Sequence, residues 1–373
     1  MNRITLLALP FAFLAASCGT STPAPDGFAQ TVSALSGPGG YFDTDNLISN
    51  ESSYLHAISD LRAAGIRGSA YLGVGPGQNF SYIAEIDPEI AIIVDIRRDN
   101  VLQHLIYKAA FEASVTREQY LAILLGRPAP SDPAELAEAP IEAILEGIEA
   151  SPSTEASRTT ARREVLERIR GFGFSLVDGD LETVGRFHDE MIAYGLDLRF
   201  RSHGRAPQFY YPTLRRLILE VDREGEAVSY LSTNERFQRV RQLQLDDRII
   251  PVVGDLAGDV ALPAIGAFLT ERGLSVSAFY TSNVEYYLFG RRTFGRFVEN
   301  LRILPLTDES VIIKSFFPGG FRGEHPLQQP GYYSTQLVQR ALGLVDGWDA
   351  GGYRDYWSIV TRDLVGATPA PTP

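Results

Sequence analysis

Cysteine is nearly absent from this sequence. Cys18 is the single cysteine among 373 residues. An intrachain disulfide is therefore impossible, a cysteine-based metal site is excluded, and the fold must be stabilised by its core. The five histidines are scattered along the chain without the spacing of metal ligands. We therefore expect no metal cofactor.

Clustered positive charge is lacking as well. The formal net charge is −12, which argues against nucleic acid as a partner, because phosphate contacts need grouped Lys and Arg side chains. The sequence contains no Gly-x-Ser-x-Gly elbow, no His-Glu-x-x-His pair and no Walker loop. Hydrolase, metalloprotease and NTPase functions therefore lose their usual support.

The one pronounced hydrophobic run lies at the N-terminus. Arg3 precedes an apolar stretch from Ile4 to Ala16, which is too short to span a bilayer and has the form of a secretory signal over residues 1–17. The residues Leu14–Cys18 resemble the lipobox of bacterial lipoproteins, which implies that Cys18 is lipidated and anchors the protein to the membrane. An ordinary cleaved signal with an incidental cysteine is the alternative. By similarity to known lipoproteins, Gly19 favours the outer membrane.

Composition divides the rest of the chain. Residues 18–45 are rich in Gly, Ser, Thr, Pro and Ala and are predicted to be a flexible tether, and residues 367–373 a disordered tail. Residues 46–366 are predicted to form one domain. An insertion at about residues 116–207 is predicted to add a helical cap, with a helix at 141–148.

The segment from Ala70 to Ile96 indicates a ligand site. It is predicted to contain a strand, a glycine-rich turn with Gly73, Gly75 and Gly77, a helix from Asn79, and a second strand that ends at Asp95. Glycines allow a tight turn and a close approach of the backbone to a ligand. The helix would direct free N–H groups to the same place, and an acid about 20 residues after the glycines can bind ribose hydroxyls.

Further along, strands and helices alternate. This pattern predicts an α/β fold with a doubly wound, mainly parallel sheet. Later strands are predicted at 228–232, 249–253, 276–280 and 311–317, with an antiparallel edge position as an alternative for the last. Ligands bind outside the carboxyl ends of such strands, and polar residues occur at five predicted ends: Gly73–Asn79, Asp95, Thr233–Asn234, Asp255 and Thr281–Glu285.

This order of elements resembles class I S-adenosylmethionine-dependent methyltransferases, and also a group of bacterial proteins with a methyltransferase-like core. The resemblance implies a Rossmann-like fold with S-adenosylmethionine as cofactor. Gly73, Gly75, Gly77 and Asn79 would pass its amino acid part, and Asp95 would bind the ribose. At the predicted fourth and fifth strand ends, Asp255, Asn283 and Glu285 would face the acceptor. The sequence departs from the family because no acid precedes the glycines to hold the cofactor's ammonium group.

Two functions fit these observations. The first is a methyltransferase, or a degenerate relative, that binds S-adenosylmethionine or a related nucleoside. The second is a non-catalytic lipid-anchored protein that binds another small molecule or a protein at the cell envelope. A dinucleotide site is disfavoured, since Gln78 or Phe80 stands where the third glycine of that motif belongs. His104 is expected to be partly exposed on a helix.

Overall fold

Six strands form a single sheet in the computed structural model, which describes residues 27–128, 138–204, 206, 208–319 and 324–366. The strands are β1 Ala70–Gly73, β2 Ile90–Asp95, β3 Ile249–Val253, β4 Val276–Ser282, β5 Leu306–Phe316 and β6 Thr335–Arg340. Their order across the sheet is β3-β2-β1-β4-β5-β6. Neighbours from β3 to β5 pair in parallel, and β6 pairs antiparallel with β5.

Helices surround the sheet. In chain order they are α1 Phe28–Leu35, α2 His56–Ala63, α3 Asn79–Ile86, α4 Arg98–Glu112, α5 Arg117–Leu124, α6 Ile141–Ala150, α7 Glu155–Gly171, α8 Asp180–Tyr194, α9 Leu214–Ile218, α10 Asn234–Leu245, α11 Ala261–Glu271, α12 Val284–Gly290, α13 Phe294–Ile303, α14 Ala341–Asp349 and α15 Tyr356–Thr361. Consecutive residues of β2 and β3 are buried, so both faces of the sheet are covered there. The predicted α/β architecture with a mainly parallel sheet is confirmed.

One predicted strand is absent, and another is present but lies at a different place in the sheet. Residues 228–232 form a turn, closed by the Ser232 amide and hydroxyl on the carbonyl of Ser229 at 3.0 and 2.7 Å. The strand predicted at 311–317 is confirmed as part of β5, but it is not an edge strand, because it lies between β4, to which it is parallel, and β6. The antiparallel edge strand is β6. As a result, Asp255 follows the third strand and Asn283 the fourth, one strand earlier than predicted.

The predicted insertion, at about residues 116–207, contains the four helices α5 to α8. Helices α5, α7 and α8 pack on α4, and α6 packs on α5. The helix predicted at 141–148 corresponds to α6 and is confirmed. These helices stand beside the core helix α4, which itself packs on β2 and β3.

Residues that precede the predicted domain boundary already pack on the core. Helix α1 packs on β3 and α11, and Val32 and Leu35 are buried. The tether predicted for residues 18–45 is thus wrong from Gly27 onward. Cys18, the signal segment and the predicted tail at 367–373 lie outside the described residues. Among those described, no helix is both long and apolar enough to cross a membrane.

Candidate functional site

The carboxyl ends of β1, β2, β3 and β4 border one crevice. β2 and β3 follow on one side of β1, while β4 lies on its other side, so the strand order reverses between β1 and β4. Ligands of doubly wound sheets bind at this switch point. The crevice encloses about 860 Å³ including its open mouth. Its walls include Gly75, Asp95, Asp255 and Asn283, each of which was predicted to be a site residue.

The glycine-rich turn contributes one of its three glycines to the crevice. Gly75 has a φ of +79°, in the left-handed region, and it lines the wall. Gly73 is needed for packing, because a Cβ there would overlap the Asn79 amide and lie 2.9 Å from the Tyr71 hydroxyl. Gly77 lines a neighbouring chamber instead of the crevice. The turn therefore presents its backbone to a ligand mainly at Gly75.

Asn79 acts as a brace inside this turn. Its Nδ2 donates to the carbonyls of Val74 and Pro76 at 2.9 and 2.7 Å, and its Oδ1 accepts from the Tyr71 hydroxyl at 2.8 Å. The side chain is completely buried and does not line the crevice. The predicted role of Asn79 in direct ligand contact thus gives way to a role in holding the shape of the turn.

His104 holds the turn from the other side. Its Nε2 lies 2.9 Å from the carbonyl of Gly75. Burial lowers the pKa of His104 to about 4, so the ring is neutral at pH 7, and its Nε2–H donates a hydrogen bond to that carbonyl. The expectation of partial exposure is wrong, because the residue is 2% exposed. Apolar periodicity alone does not reveal this contact with the turn.

Asp95 reaches the crevice at the end of β2 but is already paired. Arg97 donates from Nε to Asp95 Oδ1 at 3.0 Å and from Nη2 to Oδ2 at 2.8 Å. The remaining guanidinium nitrogen donates to the carbonyls of Thr44 and Asp45 at 2.8 and 2.7 Å. Oδ1 also accepts from the Arg97 amide at 2.9 Å, whereas Oδ2, among the described residues, accepts only from Nη2. A carboxylate oxygen can accept two hydrogen bonds, so a ribose hydroxyl could share Oδ2 with Arg97.

The two later carboxylates of the prediction have different positions. Asp255 lines the crevice beside β3 and accepts from the amide of Ala257 at 2.9 Å. Asn283 also lines it, at the start of α12. Glu285 does not line the crevice: it is 1% exposed and accepts from the Thr281 hydroxyl at 2.6 Å. The predicted contact of Glu285 with an acceptor is therefore not supported by its position.

Glu51 is a crevice residue that sequence reasoning missed. It is 1% exposed and lines the crevice where β1 and β4 end. Oε2 accepts from the Tyr280 hydroxyl at 2.7 Å and from the Gln336 amide at 3.1 Å, and Oε1 accepts from the Ser282 hydroxyl. Burial raises the pKa of Glu51, although these donors lower it in part. No motif marks Glu51, since it comes from a loop far from the glycines in sequence.

Glu285 and Lys314 are a further pair of buried ionisable groups near Glu51. Lys314 on β5 donates to the side-chain carbonyl of Gln339, and burial lowers the pKa of Lys314 to about 8. Burial raises the pKa of Glu285, and the nearby Lys314 partly offsets this. Glu285, Lys314 and Gln339 therefore form a buried polar layer, and Gln336, on the same strand as Gln339, donates to Glu51.

The segment before α2 covers part of the crevice. The rings of Phe42 and Tyr287 meet edge to face with centroids 5.0 Å apart, and the amide of Gly40 donates to the carbonyl of Ile96 at 2.6 Å. Residues 41–51, here called the cover, include five lining residues, Tyr41, Phe42, Asn46, Ser49 and Asn50, besides Glu51. Among the described residues, no group of three or more His, Cys, Asp or Glu side chains could hold a metal.

Comparison with known proteins identifies a family. A search of curated proteins finds no match. The model of a family described as a domain of unknown function, DUF7790, matches residues 47–170 and 199–343. The matched residues hold all six strands and most of the crevice, including Glu51, Gly75, Asp95, Asp255 and Asn283. Because this match spans most of the chain, the protein belongs to the DUF7790 family.

Proposed function

We propose that the crevice binds S-adenosylmethionine or a related nucleoside, and that the protein is a methyltransferase-like member of its family. One observation carries the proposal: polar groups at the carboxyl ends of four adjacent parallel strands meet at the switch point of the sheet. The strand order and the antiparallel edge strand are compatible with a Rossmann-like sheet. The methyltransferase type of that sheet is part of the proposal.

The strand order suggests how such a ligand would lie. Gly75 follows β1, Asp95 follows β2 and Asp255 follows β3, and these strands are consecutive neighbours in the sheet. An amino acid group beside Gly75 and a ribose beside Asp95 would direct the attached base toward Asp255. The acid at the end of β3 thus fits a base-binding role better than the catalytic role predicted for it.

Glu51 would supply the carboxylate that the glycine motif lacks. It lies on the β1 and β4 side of the crevice, where the amino acid group would be placed. Oε1 accepts one hydrogen bond in the structure, so it retains acceptor capacity for an ammonium group. A cation there would also compensate the buried negative charge, because an opposite charge stabilises the ionised form of a carboxylate.

Methyl transfer would require little more than alignment of donor and acceptor. Asn283 lines the crevice at the end of β4, on the side away from Asp255. It would face the acceptor and help to orient it. Glu285 would have a structural role, since it accepts a hydrogen bond from Thr281 on β4 and lies in the buried polar layer near Lys314.

The test is calorimetric titration of the protein with S-adenosylmethionine and S-adenosylhomocysteine. Asp255→Ala removes a half-buried carboxylate that has one backbone partner. We expect it to weaken binding about 10- to 100-fold, as for a hydrogen bond to a charged group. Asp178→Ala, which removes an exposed carboxylate in a turn, is the matched control and should bind like the wild type. Absence of heat with either ligand from a cooperatively folded protein would refute the proposal.

Asp95→Ala is a less clean variant for this purpose. It would leave the guanidinium of Arg97, whose side chain is 8% exposed, without its carboxylate partner. Breaking such a buried pair costs about 3–5 kcal/mol of stability. A loss of binding in that variant would therefore mix local unfolding with the loss of a ligand contact.

A second function remains a candidate because Asp95 is already engaged by Arg97. In this alternative, the scaffold is a non-catalytic binding protein, exported and anchored to the cell envelope through lipid on Cys18. Export also separates the protein from S-adenosylmethionine, which is made in the cytoplasm. An intact fold without nucleoside affinity would favour this alternative.

A further inference from the structure

A second chamber adjoins the crevice. It encloses about 540 Å³ including its open side. One wall is formed by the glycine turn and α4 through Gly77 and Tyr107. The opposite wall comes from the part of the chain between α4 and β3, through Leu124 on α5, Met191 on α8 and Leu214 on α9. The chamber therefore lies between the nucleotide-type core and the helices added to it.

The walls of this chamber are apolar. None of the described residues that line it carries a charged side chain, and eight of them are Leu, Ile or Met. The hydroxyl of Tyr54 donates to the carbonyl of Leu217 at 3.0 Å, and that of Tyr107 donates to the carbonyl of Leu47 at 3.1 Å. These hydroxyls are occupied by the protein itself. The chamber thus offers little to a charged or strongly polar ligand.

The chamber and the crevice share two lining residues, Ser49 and Gln78. Gln78 donates from Nε2 to the hydroxyl of Tyr280 at 3.2 Å, while its Oε1 has no hydrogen-bond partner. The hydroxyl of Tyr280 donates its hydrogen bond to Glu51, so it must accept from Gln78, which fixes the orientation of the Gln78 amide. A molecule in the chamber would therefore have one end at this amide and next to the crevice.

We propose that this chamber binds an uncharged, largely apolar small molecule whose reacting end reaches the boundary at Ser49 and Gln78. Its role as the acceptor site rests on the proposed function, because only a nucleoside in the crevice would place a methyl group at that boundary. Met191 and Leu198 line the chamber from residues that the family model does not match. We therefore expect the apolar ligand to differ among members of the family.

The probe for this site is N-phenyl-1-naphthylamine, an uncharged apolar amine that fluoresces more strongly in apolar surroundings. We expect the full chain to raise its fluorescence with saturable binding. Leu214→Trp fills the chamber from a half-buried position and should weaken that binding about tenfold or more. Leu245→Trp, at an exposed site that does not line the chamber, is the matched control. Leu214→Glu gives a second test if the Trp variant fails to fold.

Parallel titrations with S-adenosylhomocysteine separate the two proposals. Probe binding that Leu214→Trp abolishes, without heat from the nucleoside, would support the apolar site but refute its role as an acceptor site. Nucleoside binding together with probe binding that neither Leu214 variant changes would retain the proposed function and refute the apolar site. Absence of a fluorescence change with the wild type would also refute the apolar site.

Discussion

At the scale of single residues, the charges around the crevice depend on partners from distant parts of the chain. Glu51 receives hydrogen bonds from Tyr280 and Ser282 on β4 and from Gln336 on β6. Because the carboxylate is buried, a change in its charge should be felt by any ligand group beside it.

Glu51→Gln should distinguish the binding contribution of the ligand's amino acid part from that of its nucleoside part. We expect this variant to bind S-adenosylhomocysteine about 10- to 100-fold more weakly, since a charged hydrogen bond to the ammonium group is lost. Binding of 5′-methylthioadenosine, which has no amino acid part, should stay nearly the same. The measurement is calorimetric titration with both compounds.

The control is Glu220→Gln. Glu220 is also a buried glutamate whose pKa is raised by burial, but it does not line the crevice. It should leave both affinities at wild-type values. Equal losses for the two nucleosides in Glu51→Gln would contradict the proposed contact with the ammonium group.

His104 makes the stability of the glycine turn depend on pH. Its pKa is about 4 in the folded protein and 6.5 as the usual value. The unfolded chain therefore takes up a proton below pH 6.5 that the folded protein does not. Stabilisation by neutral His104 is complete above pH 6.5 and is lost as pH falls toward 4, by about 1.4 kcal/mol per pH unit.

His104→Gln should reduce the slope of unfolding free energy against pH between 6.5 and 4 by about one proton. Urea unfolding at several pH values measures this slope. His56 is also held at a low pKa by burial, so part of the dependence should remain. His203→Gln changes a half-exposed ring and serves as the control. An unchanged slope in His104→Gln would show that another group dominates.

At the scale of elements, α1 is the main addition to the predicted domain. After this helix, the amide of Gly37 donates to the carbonyl of Val253 at 2.8 Å, and the hydroxyl of Ser36 accepts from the amide of Val253 at 3.1 Å. The chain thus continues hydrogen bonding at the end of β3. A fragment that begins near residue 40 would lose both the helix and these contacts.

Leu35→Ala tests whether α1 belongs to the cooperative fold. Leu35 is 3% exposed, and removal of a buried leucine side chain should lower the free energy of unfolding by about 2–5 kcal/mol. Ser33→Ala, at an exposed position of the same helix, should change it by less than about 0.5 kcal/mol. Chemical unfolding monitored by circular dichroism gives both values. Equal stability of the two variants would mean that α1 unfolds independently.

The elements also show what could be predicted from the sequence. β2 and β3 are short apolar runs, and their composition identifies them as strands covered on both faces. Residues 228–232 have a similar local composition but pack Val228 and Leu231 inward from a turn. β6 was missed because Gln336 and Gln339 are polar, yet both are buried against Glu51 and Lys314. Local patterns contain no information on such long-range partners.

The candidate site also combines features that could be predicted from the sequence with features that depend on tertiary contacts. The position of Gly75 and Asp95 beside one crevice follows from spacing and from the rule on strand ends. The inward position of Glu285 depends on Thr281 and on the buried layer below it. The pairing of Asp95 with Arg97 depends on the cover, since two carbonyls of the cover hold the guanidinium. These tertiary contacts decide which side chains are free for a ligand.

At the scale of the whole molecule, the anchor remains a prediction, because Cys18 lies outside the described residues. Cys18→Ser should abolish incorporation of radiolabelled palmitate when the full chain is expressed in a bacterial host, and should move the protein from the membrane fraction to the soluble fraction. As the only cysteine of the sequence, it is the single site for such a thioether-linked anchor. One chain alone would bind weakly, so stable anchoring implies more than one acyl group.

Ser21→Ala, three residues after the cysteine, is the matched control and should retain both label and membrane association. An unlabelled wild-type protein of the size expected after cleavage would indicate an ordinary secretory signal. In that case the protein would be secreted without a lipid, and the crevice would operate away from the membrane surface.

If the crevice binds a small molecule as proposed, Arg97 has a consequence for how that molecule enters and leaves. Its guanidinium joins the carboxylate of Asp95 to the backbone of Thr44 and Asp45 in the cover. Displacement of the cover at this point breaks both links to the main chain together and leaves the ion pair exposed to water. The mouth of the crevice should accordingly switch between a closed and an open state instead of widening gradually. The residence time of a bound molecule should lengthen with the strength of the contacts that Arg97 makes.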